Sequence, residues 1–313
     1  MKIIITGGLG FIGSHLSESL LNDKHEVIIL TRNLNSKSKI IKQLPEAIIK
    51  QVDVTDFQKL AKTIKKYKPE VIFHLAGETS HQNSFKDPMY DVDVNTKSTL
   101  CILETIRNFI PKCRLILGST FIVVGKPEKL PVNENSKCNP TTIYGANRLN
   151  SEYFCNIYHN VYGLDVVCFR ITNSFGPREQ YKTPKKNALN YLIYKSLKEK
   201  KVTIYNQGKF FRDVIFITDV ISGLKIILSK GKSGELYWIS SGKKTWFYDI
   251  GKYLKKFTNA TVVYANPPSY TTKVDVGNFV ADNFKLKSLG WNVHTSVKDG
   301  IQQTLDYFKS NSL

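Results

Sequence analysis

The chain has 313 residues, of which 42% are hydrophobic, and carries a formal net charge of +19 at pH 7. This length and apolar content can bury a large core, which excludes a disordered chain. No apolar run reaches the about 18 residues of a membrane-spanning helix, so we expect a cytoplasmic protein without a membrane partner.

Neither cysteine nor histidine spacing predicts a metal site. The five cysteines are scattered without C-x-x-C spacing, and the six histidines include no H-x-x-x-H pair. We therefore expect free thiols, no disulfide framework and no bound metal.

The positive charge comes from lysines spread along nearly the whole chain, with a modest concentration from Lys182 to Lys201. A nucleic-acid-binding protein would gather them on one face with aromatic residues between them. We interpret the lysines as solvated surface residues and expect no nucleic-acid partner. Their field would favour an anionic small substrate.

The first part of the chain, about 170 residues, alternates short apolar runs with helical periodicity, which is typical of a parallel sheet with helices on both faces. The apolar runs predict strands at Lys2–Thr6, Glu26–Leu30, Ile48–Val52, Val71–Leu75, Arg114–Gly118 and Asp165–Arg170. The periodic segments predict helices from Gly10 and at Phe57–Tyr67, Val94–Ile110 and Thr142–Tyr162, the last capped by Gly163. The last helix has an apolar stripe of Ile143, Ala146, Leu149, Tyr153, Ile157 and Val161.

The second part of the chain is less regular. It predicts helices at Asn187–Glu199, Thr218–Leu228, Phe247–Phe257 and Ser296–Lys309. It also predicts short strands at Val202–Tyr205, Val214–Phe216, Glu235–Ile239 and Thr261–Tyr264. No repeat or low-complexity linker separates the two parts, so we expect them to pack closely, with a ligand in the crevice between them.

Gly7, Gly10 and Gly13 stand at G-x-x-G-x-x-G spacing within TGGLGFIGSHL, directly after the first predicted strand. The first glycine permits a tight turn, the second lets a pyrophosphate approach the backbone, and the third lets the helix pack on the strand. N–H groups at the start of the helix would face the phosphates. This context predicts a Rossmann-type, doubly wound dinucleotide-binding domain at 1–174. A smaller α/β substrate domain would follow at 175–313, with some segments returning to the first.

The end of the second strand bears on the choice of cofactor. An Asp or Glu there would bind the adenosine ribose diol and favour NAD, but this chain has Thr31 and Arg32. Without a carboxylate, Arg32 could pair with the 2′-phosphate of NADP. It could equally stack on the adenine of NAD. The residues alone favour NADP.

The segment Tyr144-Gly-Ala-Asn-Arg148 lies in the longest predicted helix. A phenol with a reference pKa near ~10 is a poor base at neutral pH. A cation one helical turn later favours the phenolate. We therefore predict that Tyr144 is a catalytic group and that Arg148 supplies its positive charge.

These motifs resemble the extended short-chain dehydrogenases/reductases, in the branch of nucleotide-sugar epimerases and dehydratases. The resemblance covers almost the whole chain and includes Asp53-Val54, His74-Leu75-Ala76-Gly77, Asn95, Ser119-Thr120, Arg170–Pro177, Arg212–Asp219 and Leu289-Gly-Trp291. It favours NAD, so NAD and NADP both stay open. The cofactor contacts it implies are Gly7, Gly10, Phe11, Ile12, Gly13, Thr31, Arg32, Asp53, Val54, Leu75, Ala76, Gly77, Asn95, Tyr144 and Arg148.

In this family the tyrosine moves a proton on or off a sugar hydroxyl while hydride passes between that carbon and the nicotinamide. The resemblance assigns this role to Tyr144 and a shared substrate hydrogen bond to Thr120. Arg148 departs from the family's Y-x-x-x-K pattern. It keeps the positive charge but cannot lose a proton, so a proton relay through it is closed. We predict an active enzyme with adapted geometry.

The residues after Thr120 bear on the reaction. The family's 4,6-dehydratases have an Asp-Glu pair there, whereas this chain has Phe121 and Ile122, which cannot transfer protons. With Phe121 and Ile122 at these positions, the chain also lacks the glutamate of the related sugar-acid decarboxylases and the cysteine of the 3,5-epimerase/reductases. We therefore expect hydride chemistry at sugar C4 and no 4,6-dehydration. The enzyme would be a 4-epimerase, a 4-dehydrogenase or a 4-ketoreductase of surface-polysaccharide sugar biosynthesis. Of these activities, epimerisation is favoured.

The resemblance implies a nucleotide-diphosphate sugar as substrate. Its phosphates would bind Asn173 and Arg212, with Arg178 and Lys185 as weaker candidates. The helix after Asn95 and the tyrosine helix are expected to form a homodimer. The alternative function is a catalytically weakened cofactor-sensing or RNA-binding protein on the same fold, against which the intact substrate-side groups argue.

Overall fold

The computed structural model describes residues 1–34, 38–183, 188–268 and 274–311. Its strands include all ten predicted ones, with ends that agree to within two residues, and three short ones that were not predicted. They are β1 (Lys2–Thr6), β2 (Glu26–Thr31), β3 (Ile48–Gln51), β4 (Val71–His74), β5 (Arg114–Thr120), β6 (Val166–Ile171), β7 (Asn173–Phe175), β8 (Lys201–Tyr205), β9 (Phe211–Arg212), β10 (Val214–Phe216), β11 (Leu236–Ile239), β12 (Thr245–Trp246) and β13 (Thr261–Ala265).

The helices of the described residues include all eight predicted segments and four short ones that were not predicted. They are α1 (Phe11–Asn22), α2 (Ser38–Lys42), α3 (Phe57–Tyr67), α4 (His81–Lys86), α5 (Pro88–Val92), α6 (Ser98–Phe109), α7 (Ile143–Tyr162), α8 (Ala188–Lys198), α9 (Ile217–Lys230), α10 (Phe247–Thr258), α11 (Phe284–Lys287) and α12 (Val297–Ser310). Of the helix predicted at Asn187–Glu199, the first residue lies outside the described residues.

The central sheet has seven parallel strands in the order β11-β6-β5-β4-β1-β2-β3. Alternate residues of its strands enter different apolar clusters: Ile3 and Ile5 of β1 pack with α1 and α9, whereas Ile4 packs with α3, α6 and α7. Helices therefore cover both faces, as the predicted doubly wound fold requires. Strand order reverses between β1 and β4, and ligands of such sheets bind beyond the carboxyl ends of the strands at this point.

The seventh strand of the sheet comes from the second part of the chain, because β11 pairs in parallel with β6. One apolar cluster also joins side chains of β1 and α1 to side chains of α8, α9, α10 and α12. The smaller pairs β10-β7, β12-β9 and β13-β8 lie outside the central sheet. The two parts of the chain thus share a core rather than being joined by a loose linker.

The helix predicted from Val94 differs from the observed one at its start. Residues Asp93–Lys97 form a π-helical turn, and α6 begins only at Ser98. Such turns are rare in proteins, and those that occur are often found at functional sites. This turn contains Asn95, one of the predicted cofactor residues.

The apolar stripe predicted on α7 faces outward over most of its length. Tyr153, Ile157 and Val161 are 55%, 50% and 65% exposed. The buried face includes Leu149 of the stripe and carries Tyr144, Gly145, Asn147, Arg148, Ser151, Glu152, Cys155 and Tyr158. Helix α7 therefore has largely polar side chains on its inner side and apolar ones on its outer side.

Candidate active site

The glycine motif forms a turn between β1 and α1. Gly7 has a left-handed φ of +69°, and its carbonyl oxygen accepts a 2.8 Å hydrogen bond from the Gly10 N–H. A Cβ added at Gly13 would lie 2.3 Å from that carbonyl oxygen, so helix and turn can approach only without a side chain there. The N–H groups at the start of α1 face the crevice beyond β1, which fits a bound pyrophosphate.

The end of β2 carries no carboxylate in the described structure. Thr31 is its last residue, and the exposed Arg32 that follows donates to the Tyr90 hydroxyl at 2.5 Å. The Asp53 carboxylate accepts from the N–H and the hydroxyl of Thr55, at 3.0 and 2.9 Å. Val54 beside it is buried. Arg32, Asp53 and Val54 thus follow β2 and β3, the strands next to β1 in the sheet.

A buried histidine connects β1, β4 and the segment before α6. The Ala76 N–H donates to the Thr6 hydroxyl (3.1 Å), which lies 2.7 Å from His74 Nδ1. On the other side His74 Nε2 lies 3.0 Å from the Ser98 hydroxyl, which donates to the Val94 carbonyl oxygen. The network is complete with a neutral imidazole protonated at Nε2. Burial, and then the positive charge of Arg148, lower the pKa of His74 to about 3.

Arg148 reaches from α7 across the ends of β4 and β5. It is 3% exposed, and its Nη1 and Nη2 donate to the carbonyl oxygens of Gly118 and Ala76, both at 3.1 Å. Its guanidinium carbon lies 6.0 Å from the centre of the Tyr144 ring. The structure therefore places a fixed positive charge beside the predicted catalytic tyrosine.

Asn95 lies against the same segment. Its side-chain Nδ2 donates to the Glu78 carbonyl oxygen at 3.1 Å, while its Oδ1 is buried without a hydrogen-bond partner among the described residues. The Ser151 hydroxyl of α7 donates to the Asn95 carbonyl oxygen at 2.6 Å. A buried acceptor that lacks a donor fits a ligand or a water at this position.

Thr120 and Tyr144 are each 6% exposed. Thr120 is the last residue of β5, and its hydroxyl accepts from the Ile122 N–H at 3.3 Å. Tyr144 lies in the first turn of α7, which Thr142 caps by accepting from the Gly145 N–H at 3.0 Å. Thr120 thus ends β5 at its carboxyl edge, and Tyr144 begins the helix whose Arg148 reaches carbonyl oxygens near the same edge.

A buried ion pair next to this edge was missed by the sequence analysis. Glu152 and Arg170 are 8% and 4% exposed and are joined by hydrogen bonds of 2.7 and 3.0 Å. The Ser119 hydroxyl donates to the same carboxylate. Tyr144, Arg148 and Glu152 stand at four-residue spacing, which was the available signal that one helix face carries polar groups inward.

The predicted substrate residues lie around β7 and β9. The side chain of Asn173 donates to the Asp213 carbonyl oxygen at 3.1 Å. Arg212 pairs with Asp275 at 2.6 Å and lies over the Phe210 ring, 5.1 Å from its centre. Asn173 and Arg212 are thus held on either side of one buried residue, Asp213.

The other two phosphate candidates were Arg178 and Lys185. Arg178 forms a 2.7 Å ion pair with Glu18 on α1. Lys185 lies outside the described residues.

Asp213 is a further residue that the sequence analysis did not single out as functional. It is fully buried, and its carboxylate accepts from the N–H groups of Ser241, Gly242 and Ala281 at 2.7, 3.1 and 3.2 Å. Burial raises the pKa of Asp213, and these hydrogen bonds oppose the change. The carboxylate thereby fixes two loops beside Arg212.

No metal site accompanies these groups within the described ranges: no cluster of three or more His, Cys, Asp or Glu is arranged to hold an ion. None of the described helices is long and apolar enough to cross a membrane.

The chain is similar to known proteins over almost its whole length. The profile of the family described as GDP-mannose 4,6 dehydratase matches residues 4–304. The UDP-glucose 4-epimerase of Mycolicibacterium smegmatis is 28% identical over 324 residues, which cover 100% of both chains. Curated relatives named dTDP-glucose 4,6-dehydratase match as well.

Two solved structures share the fold over its whole length. The UDP-glucose 4-epimerase of Thermotoga maritima with UDP-glucose is 27% identical, has a TM-score of 0.91 and covers 100% of both chains. The UDP-glucuronic acid 4-epimerase of Bacillus cereus, in complex with UDP-glucuronic acid and NAD, is 28% identical with a TM-score of 0.88, covering 99% of this chain and 100% of that one. The chain belongs to the GDP-mannose 4,6-dehydratase family, the nucleotide-sugar epimerases and dehydratases among the extended short-chain dehydrogenases/reductases.

Proposed function

We propose that the protein is an NAD-dependent nucleotide-sugar 4-epimerase. The observation that carries the proposal is the placement of Thr120 at the carboxyl end of β5, with Arg148 beside the Tyr144 ring and the glycine turn after β1, two strands away in the sheet. A role in surface-polysaccharide sugar biosynthesis is part of the proposal. The identity of the sugar that the enzyme converts would test this role.

Bound NAD would supply the hydride acceptor and return the hydride to the sugar. Tyr144 takes the proton of the C4 hydroxyl and gives it back to the keto oxygen, and the Thr120 hydroxyl hydrogen-bonds the same oxygen. The positive charge of Arg148 stays beside the Tyr144 ring throughout, because a guanidinium does not lose its proton. The reaction therefore needs no proton relay through position 148.

Dehydration is excluded from the proposal by the residues after Thr120. Phe121 packs on Phe279, with ring centres 5.0 Å apart, and Ile122 is buried in the same cluster as Tyr144. Neither side chain can take a proton from C5 or give one to a leaving hydroxyl. Their packing supports simple oxidation and reduction at one carbon.

NAD is the proposed cofactor because the Bacillus cereus relative was solved with NAD. Arg32 is compatible with this choice, since it already donates to the Tyr90 hydroxyl and can lie flat against an adenine. Identifying the nucleotide that co-purifies with the protein tests the choice directly.

The proposed function is tested by incubating the protein with UDP-, dTDP-, GDP- and CDP-sugars while recording absorbance near 340 nm. A 4-epimerase gives a new sugar nucleotide without net absorbance change. Net change would identify a 4-dehydrogenase or 4-ketoreductase instead, and a 4-keto-6-deoxy product would identify a dehydratase. Tyr144→Phe should lower kcat by roughly 10²–10⁴-fold, whereas Tyr264→Phe, at an exposed tyrosine on β13, should leave it unchanged.

We also propose a homodimer formed by α6 and α7. The exposed apolar residues Phe109, Tyr153, Ile157 and Val161 lie on these two helices, which pack against each other. Large exposed apolar patches are typical of subunit interfaces. Ile157→Asp should give a monomer by light scattering, while Phe284→Asp, at a 73% exposed residue on α11, should not.

A further inference from the structure

Gly77 lies where the guanidinium group of Arg148 passes between the ends of β4 and β5. A Cβ added at Gly77 would be 1.8 Å from Arg148 Nη2 and 2.9 Å from its Cζ. The φ of Gly77 is outside the left-handed region in which glycine is favoured. The backbone conformation at position 77 is therefore compatible with a side chain, but the space beside it is filled by Arg148.

Arg148 has little freedom to move away from such a side chain. Both of its Nη atoms donate to strand-end carbonyl oxygens, it is 3% exposed, and its Nε is buried without a hydrogen-bond partner among the described residues. Strand β4 ends at His74, opposite Leu117, so the Gly118 carbonyl oxygen lies beyond the paired part of these two strands. A planar fork of donors can reach this oxygen and that of Ala76 together.

A lysine at position 148 would place a single ammonium group there instead. It has no planar fork and ends in one nitrogen, so it cannot fill the space beside Gly77 in the same way. The other atom near the added Cβ is Asn95 Oδ1, at 2.7 Å, and this contact is the same whichever cation stands at 148. The effect of Asn95 therefore cancels when the two cations are compared.

We propose that Gly77 is a positioning residue that permits an arginine to serve as the cation beside Tyr144, so that positions 77 and 148 are energetically coupled. A methyl group at 77 displaces the guanidinium from the Ala76 and Gly118 carbonyl oxygens. The same methyl group is tolerated when position 148 holds lysine. The catalytic consequence rests on the function proposed above, whereas the coupling itself rests on the contacts of Arg148.

The test is a double-mutant cycle on the full chain with wild type, Gly77→Ala, Arg148→Lys and the double variant. Two quantities are measured for each protein: the unfolding midpoint in urea, and kcat and KM for the sugar nucleotide that the wild type converts. We expect Gly77→Ala to lower kcat at least tenfold and to lower the midpoint in the arginine background. In the lysine background the losses in kcat and in the midpoint should be at least fivefold smaller than in the arginine background.

Equal losses from Gly77→Ala in both backgrounds would overturn the proposal, since the methyl group would then act through Asn95 or the backbone. If Gly77→Ala is insoluble, a soluble double variant supports the coupling and an insoluble one refutes it. If no protein converts any sugar nucleotide, the proposed function fails, but the cycle of unfolding midpoints still decides the coupling.

Arg114 provides a matched control. It too donates to backbone carbonyl oxygens, those of Leu228 and Gly231, but at the opposite end of β5. Arg114→Lys should give no rescue of Gly77→Ala, and rescue by it would contradict the proposal.

Discussion

Lowering the pH should destabilise this protein in part through the fully buried imidazole of His74. Its two nitrogens are both used, Nδ1 toward the Thr6 hydroxyl and Nε2 toward the Ser98 hydroxyl. A second proton would leave two donors facing each other at Nδ1 and would add a charge near Arg148. The perturbation that isolates this group is His74→Gln, because glutamine keeps a polar side chain and does not titrate in this range.

The magnitude follows from the difference between the two states. The pKa of His74 falls from 6.5 to about 3 in the folded protein, chiefly by burial and then by the charge of Arg148. Between these values the unfolded chain binds the proton and the folded one does not, so folding free energy is lost as the pH falls below 6.5. At about 1.4 kcal/mol per pH unit, roughly 2 kcal/mol is lost by pH 5.

The assay is urea unfolding of wild type and His74→Gln at pH 8, 7, 6 and 5. Carboxyl groups titrate in both proteins, so they cancel in the difference between the two free energies of unfolding. The wild type should lead at pH 8, and its lead should shrink by about 2 kcal/mol at pH 5. Parallel curves would refute the reasoning, because they would show that His74 takes up no fewer protons on folding. His294→Gln, at an exposed histidine, controls for the loss of a histidine as such.

Three further outcomes follow from the site. Glu152→Ala should cost about 3–5 kcal/mol in urea unfolding, because Arg170 stays buried without its partner, and Glu152→Gln should cost less; equal costs would mean that the charge is unimportant. Asp213→Ala should cost about 3 kcal/mol or more, since three backbone N–H groups lose their acceptor; an unchanged midpoint would contradict this. Arg32→Asp should raise the ratio of NAD to NADP affinity at least tenfold by titration calorimetry, and an unchanged ratio would show that this position does not select the cofactor.

Most of the fold could be predicted because its strands are buried on both faces and read as continuous apolar runs. Ile3, Ile4 and Ile5 are each fully buried, so the run leaves little choice of structure. In the pairs β10-β7 and β12-β9, only β10 was predicted. Strands β7, β9 and β12 have two or three residues and are too short to show any periodicity. Their register depends on Asp213 and on loops distant in sequence.

The site was predictable where one motif contained its neighbours, as in the glycine turn. It was not predictable where contacts join separate segments, such as Glu152 with Arg170 or Gly77 with Arg148. Periodicity records which residues share a helix face, but it contains nothing about a carbonyl oxygen on another strand. A buried guanidinium is stable only with such acceptors, so the burial of Arg148 could not be predicted without knowing where they lie.

Helix α7 departs from the usual amphipathic pattern. An amphipathic helix is expected to turn its apolar residues inward, yet α7 buries Tyr144, Arg148 and Glu152 and exposes Ile157 and Val161. Each buried polar group has a specific partner, so the inward face is stable only as the wall of a site. The outward apolar residues form the surface on which the proposed second subunit would pack. The distribution of polar and apolar residues on α7 therefore supports both proposals, a reaction site on its inner side and a second subunit on its outer side.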